Sequence, residues 1–533
     1  MAKRTTTDLS ERRMVAMYSQ VDKWQNRLAA TLVFMIFCLQ PLYLNSDRYF
    51  RLTWHKFVFF IVYMIIVLIA VAVIWLSRIF NKPRLVIREK PNLAEWAILA
   101  FGLLAIISAI ISPYKKMIDI RGLPVDWKIG LNERYDGIVT QLMYIAIFFI
   151  VGRWYKPSEK QFIFFGIAAI IVAGIGILQF YGMDFLKLWP NHIPEYHKEN
   201  YYDLVFRSTL GNTNIVSTYV CAAVILCGFL YIKSNSNWKY LWLAASSLNF
   251  WLMDLADADS GRVGVLAAMI FMIPYIIEST KTMGKTLTLA ASWISLYSLQ
   301  KLLFDVNIIH IKTVNSLLPF AIAIVVMAAA GILLDIKGKE RDKDAAPRWK
   351  IGLALIVLII LAGLGGAEIL GRRPADDPNP GGIIYEVREI LHGNIKDEFG
   401  TNRIFVWRQA MSIYSQNPIF GSGPDTFLFV FPIEAQWTYD EPYDKAHNEY
   451  LQLLICQGIL GLLSYLFFII TVAIKAIPKA FKNPLLTVVL AAFIGYLTQG
   501  FFNISLPITS QLLWVFAGML VNKNVWASDS ISE

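Results

Sequence analysis

Apolar runs long enough to cross a lipid bilayer recur from one end of this chain to the other. FVFFIVYMIIVLIAVAVIWL (57–76) and LPFAIAIVVMAAAGILL (318–334) are two of them. A hydrocarbon core about 30 Å thick takes about 20 residues of helix to span, so runs of this length and spacing dictate a polytopic membrane protein. Composition agrees: 56% of the 533 residues are hydrophobic and 17% are charged, against about 25% charged in soluble domains. The expected fold is all-α, with about 14 transmembrane helices and one large external loop containing short helices.

The spans are expected near 28–44, 56–78, 93–112, 137–152, 161–181, 212–232, 239–253, 263–278, 286–304, 315–335, 351–370, 448–474, 484–501 and 506–522. With a cytoplasmic N-terminus, the lysine- and arginine-rich loops RIFNKPRLVIREK, RWYKPSEK, STKTMGK, IKGKERDKDAAPRWK and KAIPKAFKN all fall inside, as the positive-inside rule requires. Both termini are then cytoplasmic, and the long acidic loops face out. The net charge of +10 follows membrane side rather than forming a nucleic-acid surface. No small-residue cleavage site follows the first apolar run, so that run reads as a retained helix. Cys38, Cys221, Cys227 and Cys456 all fall in apolar runs without zinc spacing, and read as small core residues. Four segments follow: 1–130 with the first three spans, a transmembrane core over 131–370, the large loop 371–446, and the last spans in 447–533. The loop opens with GRRPADDPNPGG, which cannot continue a helix. A helix is expected over TNRIFVWRQAMSIYSQ, capped by Thr401 or Asn402, before the turn-rich NPIFGSGPDTF.

The polar residues sort to one face. Arg134, Arg207 and Arg262 stand at ends of outer loops, Arg403 and Arg408 lie on the loop helix, and His447 starts the twelfth span. These arginines run against the charge bias that places the other cations. A planar guanidinium pairs bidentately with phosphate oxygens and stays charged, so a cluster would suit a diphosphate. A single outer arginine is otherwise a snorkelling anchor. His447 serves equally as a helix-start residue or as a base, its ordinary pKa of about 6.5 leaving it largely neutral at pH 7. Asn448 would orient a partner, and Glu449 would sit at the positive end of the helix dipole.

In KAHNEYLQLLICQGILG (445–461), His447 and Asn448 are followed by nine residues, then Gly458, two residues and Gly461. That spacing resembles the signature of the O-antigen ligase and polymerase superfamily. NERYDGIVTQLMYIA (132–146) is similar to its Arg-x-x-Gly stretch, RSTLGNTNIVSTYV (207–220) to its Gly-Asn-x-Asn element, and RIFVWRQAMSIYSQNPIFGSGPDTF (403–427) to its large-loop element. The order of motifs covers roughly 130–525. Where the family commonly reads Ser-Arg-Gly, this chain reads Ser260-Gly261-Arg262. The resemblance implies an inverting glycosyltransferase in the cytoplasmic membrane. Its donor would be an undecaprenyl-diphosphate-linked glycan and its acceptor a hydroxyl of a glycolipid, glycan or protein. It implies no metal and no cofactor, with cationic side chains stabilising the leaving diphosphate. By residue, it implies His447 as general base or as the group that positions the acceptor, Arg207 and Arg403 first among diphosphate ligands with Arg134, Arg262 and Arg408, and Asn448 and Glu449 in support. Gly458 and Gly461 would allow close helix packing. Two rivals stay open. Asp257-Ala258-Asp259 matches a metal-diphosphate pattern, and a transporter or flippase of lipid-linked glycans would also need outer arginines, though it would call for ionisable residues at mid-membrane as well.

Overall fold

Apolar runs form helices in a bilayer because a helix bonds all of its own backbone groups. In a computed structural model describing residues 20–80, 90–118, 124–181, 183–188, 206–305, 311–340, 348–372, 382–436, 438 and 443–527, a helix stands on each of the fourteen segments. Seven of the described helices are long and apolar enough to cross a membrane, and three shorter apolar helices accompany them. The chain is therefore a mostly helical membrane protein. Among the described residues, strand is confined to two short hairpins, β1 (Lys116–Ile118) with β2 (Pro124–Asp126) and β3 (Phe206–Arg207) with β4 (Gly211–Asn212).

The chain begins with α1 (20–42, its Met35–Leu39 turn π-helical), α2 (Leu52–Phe80), α3 (Leu93–Ile111), α4 (Ile138–Trp154) and α5 (Glu159–Phe180). Asn92 caps α3 in a full capping box with Glu95. The centre is α6 (Thr213–Lys233), whose apolar window is wholly buried and which packs against α7 (Lys239–Leu255), α8 (Asp259–Phe271) and, from far along the chain, α17 (Pro484–Gly500). At Gly264 of α8 an added Cβ would lie 2.7 Å from both Cys221 Sγ and the Gly495 carbonyl oxygen. Only glycine permits that three-helix crossing. All four cysteines are buried and unbridged.

After α8 the chain bends before Pro274 into the short α9 (Ile273–Ile276), then runs through α10 (Thr280–Asp305), α11 (Ile311–Lys337) and α12 (Trp349–Leu370). The segments 239–253 and 286–304 are helical, as α7 and within α10, but neither counts among the seven apolar spans. The cause is legible in their polar side chains. Asn249 of α7 donates to the Ala169 carbonyl, and Ser292 and Ser295 of α10 donate back to their own turns. Helices α11 and α12 differ again: only 6% of each apolar window is buried inside the protein, which leaves most of each apolar face open.

The loop region holds α13 (Ile383–Leu391), α14 (Arg403–Ile413) and α15 (Phe427–Val430). Then come α16 (Glu449–Ala480), α17 and α18 (Gln511–Val521), followed by one short helical turn over Lys523–Trp526. Asn402 precedes α14 in the left-handed region at φ 64° and makes no side-chain cap, so the expected capping bond does not form.

Candidate functional site

The turn 445–448 is a strap between the large loop and α16. Asn448 ends it as the N-cap of α16, its Oδ1 accepting from the Tyr450 and Leu451 amides at 3.0 Å. This satisfies two of the orphan donors of the helix start. Glu449, the first helical residue, is buried and accepts from the Tyr496 hydroxyl of α17 at 3.0 Å. His447 lies directly before the cap with φ 49°, a conformation that is costly for a residue with a Cβ. The residues on either side hold it there. Trp407 of α14 donates Nε1–H to the Ala446 carbonyl at 3.0 Å and packs edge-on against Phe501. The Ala446 amide donates to Gln452 Oε1 at 2.9 Å.

Lys445 is the deeper anchor. Its ammonium is buried between Asp425 Oδ1 at 2.6 Å and Asp136 Oδ2 at 3.5 Å. Asp425 in turn accepts the Leu131 amide at 2.7 Å and the Asp136 amide at 3.2 Å through Oδ2. One buried carboxylate therefore ties together the Arg134 loop, the GSGPDTF turn and the His447 strap. Burial alone would lower the lysine, but Asp425 and Asp136 outweigh it and hold its pKa above the ordinary value. Burial raises Asp136 to about 7, Asp425 pushing the same way and Lys445 opposing. Asp136, Asp425 and Glu449 also line a cavity of about 50 Å³, with Tyr144, Gln457 and Ser505.

Two guanidinium groups act electrostatically on His447. Burial pushes its imidazole down to about 4, with Arg403 and Arg134 acting in the same direction and Asp444 opposing. The ring is neutral at pH 7, and the side chain stays half-buried rather than sealed. Arg403 donates Nη1–H to the Gly400 carbonyl at 2.7 Å, while its buried Nε has no partner among the described residues. Burial lowers Arg403, with Asp259 and Glu386 opposing. A guanidinium with so high a starting pKa still keeps its charge. Arg134 bonds Asp444 through Nε at 2.8 Å.

The other arginines stand differently. Arg262 is enclosed by Asp254 at 3.0 Å, Asp257 at 2.9 Å and Asp259 at 2.5 Å. The Asp257/Asp259 pair thus orients an arginine, and no group of three or more His, Cys, Asp or Glu among the described residues is arranged to hold a metal ion. Arg408 turns away to Asp397 at 2.7 Å and the Ile395 carbonyl at 2.8 Å on the exposed side of the loop. It braces the loop and does not join the cluster around His447. The Arg207 side chain lies outside what is described. Its neighbours are fixed: Ser208 N–H donates to Gln179 Oε1 at 2.6 Å, and the Thr209 hydroxyl to the Pro41 carbonyl at 2.7 Å.

The glycine pair has a different partner from the expected helix. At Gly458 the backbone leaves helical geometry at φ 70°, and an added Cβ would sit 2.2 Å from the Ile419 carbonyl oxygen. The loop 418–423 occupies the break. Ser422 and Gly423 donate to the Ile455 and Cys456 carbonyls at 3.1 and 2.8 Å, and the Ile459 amide donates to the Pro418 carbonyl at 2.8 Å. At Gly461 the nearest atoms to an added Cβ belong to Gln457 of the same helix.

Sequence reasoning missed Lys445, Asp136, Asp425, Asp444 and Trp407. Their signal was position: Lys445 and Asp444 precede His447, Asp136 follows Arg134 in NERYDGI, and Asp425 closes GSGPDTF.

Fold and site together define a helical membrane protein that gathers arginines around a neutral histidine at one end of its spans. Residues 209–466 match the model of the O-antigen ligase family, and that match supports the O-antigen ligase superfamily. No curated protein matches the chain.

Proposed function

We propose that the protein is an inverting, metal-independent glycosyltransferase that moves a glycan from an undecaprenyl diphosphate carrier to an acceptor hydroxyl, as an O-antigen ligase. The site would open on the external face of the cytoplasmic membrane. In the reaction the acceptor oxygen attacks the anomeric carbon, the bond to the diphosphate oxygen breaks, and the diphosphate leaves with the electron pair. His447 takes the acceptor proton, and Arg403 and Arg134 meet the charge that develops on the leaving oxygens. The observation that carries this reading is a neutral, half-buried His447 held in a strained turn within the electrostatic reach of two guanidinium groups.

The electrostatics couple the two roles. The same cations that depress His447 would be neutralised by a bound diphosphate, so donor binding raises the basicity of the imidazole just where a base is needed. The unpartnered Arg403 Nε is a charged donor free for a diphosphate oxygen. Arg262, already surrounded by three carboxylates, is the weakest ligand of the set. Polymerase and protein O-oligosaccharyltransferase activity use the same donor chemistry and differ in the acceptor.

The test is His447→Ala in purified protein supplied with a lipid-linked oligosaccharide. Acceptor-dependent transfer is lost while donor binding persists. Transfer at the wild-type rate would remove His447 from the mechanism.

A further inference from the structure

Helix α13 is amphipathic to an unusual degree for nine residues. Ile383, Ile384, Val387, Ile390 and Leu391 recur at the i, i+1, i+4, i+7, i+8 spacing that aligns side chains on one helical stripe. They stay 53, 46, 37, 42 and 52% exposed. Five apolar side chains on one open face need an apolar neighbour, and no residue of the helix is buried in the protein.

What covers the face follows from where the helix is tied. It is fastened to the end of α12, a 22-residue apolar helix whose own window is 6% buried. Glu368, in the last turn of α12, pairs with Arg388 at 3.5 Å and His392 at 2.7 Å. A Cβ on Gly371 would lie 2.9 Å from the Ile384 carbonyl oxygen. The point where a lipid-facing span leaves the hydrocarbon is the membrane–water boundary, so a helix bonded to that point lies at the same depth. An amphipathic helix at that depth rests with its apolar stripe in the boundary layer and its charges toward water. The polar side fits: Glu386, Arg388 and Glu389 all lie off the stripe, with Arg388 and Glu389 paired at 2.8 Å.

That polar side also reaches the candidate site. Glu386 Oε2 accepts the Gly400 amide at 3.1 Å, and the Gly400 carbonyl accepts from Arg403 Nη1 at 2.7 Å. We propose that α13 is a membrane-surface helix, its Ile383-to-Leu391 stripe seated in the lipid leaflet on the His447 side, and that its other face holds Arg403 at the height of lipid phosphates. The contact is physical and stands whether or not the glycosyltransferase reading holds.

The four native cysteines are buried, so spin labels can be placed singly by Val387→Cys and Glu389→Cys in the full chain. In phosphatidylethanolamine–phosphatidylglycerol vesicles, the label at 387 collides more with oxygen, which partitions into lipid, than with an aqueous nickel chelate. The label at 389 shows the reverse order. Equal chelate access at both positions would overturn the proposal by placing the stripe in water. Exclusion of both agents at 387 with dipolar broadening would overturn it in favour of a second copy of the chain covering the stripe.

Discussion

At the level of single residues, the account turns on how His447 is held and charged. Its depressed pKa, about 4, sets a signed expectation. A base must be neutral to take a proton, so activity is lost as pH falls through the imidazole pKa of the free protein. The acid limb of kcat/KM therefore lies near 4 and not near the ordinary histidine value of about 6.5. Arg403→Gln removes one of the depressing charges and moves that limb to higher pH, alongside any loss in donor affinity; a pH profile of both proteins separates the two effects. Lys445 carries a stability expectation. Lys445→Met leaves Asp425 and Asp136 buried without their cation, which costs roughly 3–5 kcal/mol and lowers the thermal midpoint in detergent. The pair Lys445→Met with Asp425→Asn recovers part of that loss, read as coupling in a double-mutant cycle. His447 was legible in the sequence because it stands in a spaced motif. Lys445 was not, since nothing in one dimension shows that a lysine before a span will meet carboxylates more than 300 residues upstream and 20 residues back.

Among the elements, α16 and the loop that enters its break decide how the site is assembled. The kink at Gly458 frees the Ile455 and Cys456 carbonyls, and the Ser422–Gly423 amides take them, so backbone groups stay satisfied inside an apolar setting. Gly458→Ala brings a Cβ to 2.2 Å of the Ile419 oxygen at a left-handed φ. The substitution costs about 1–3 kcal/mol and displaces the GSGPDTF turn. Gly461→Ala first meets the Gln457 side chain of its own helix, at a position without a positive φ, and is milder, a contrast that paired thermal unfolding curves measure. The glycine spacing could be read from sequence, but its purpose could not. A positive φ leaves no periodic trace, and a loop inserted in a helix break looks like two helices packing. The helices themselves were legible throughout, because length and hydropathy are one-dimensional quantities. Segments α7 and α10 mark the limit, where Ser, Thr and Asn soften the apolar signal and serve helix contacts instead.

For the whole molecule, the proposed function takes the charge asymmetry of the loops and the grouping of Arg134, Arg403 and Asp444 about His447 as chemistry at one membrane surface. The basic loops predict the sides. In right-side-out vesicles a membrane-impermeant thiol reagent labels Glu434→Cys in the large loop, and labels Lys339→Cys only after permeabilisation; the opposite pattern would invert the topology. Convergence of the arginines was the part of the site the sequence left open. Two of the five stand around His447, Arg262 sits among aspartates, and Arg408 braces the loop. Arginine type and position say only that an anion is a candidate ligand, while the fold says which guanidinium groups are already held by carboxylates. The most direct measurement is release of undecaprenyl diphosphate by purified protein in lipid, given a lipid-linked oligosaccharide and a panel of acceptors, with and without EDTA. The account predicts release that needs an acceptor and His447 and survives EDTA. Tight donor binding without release for any acceptor would contradict it and point to transport of the same lipid.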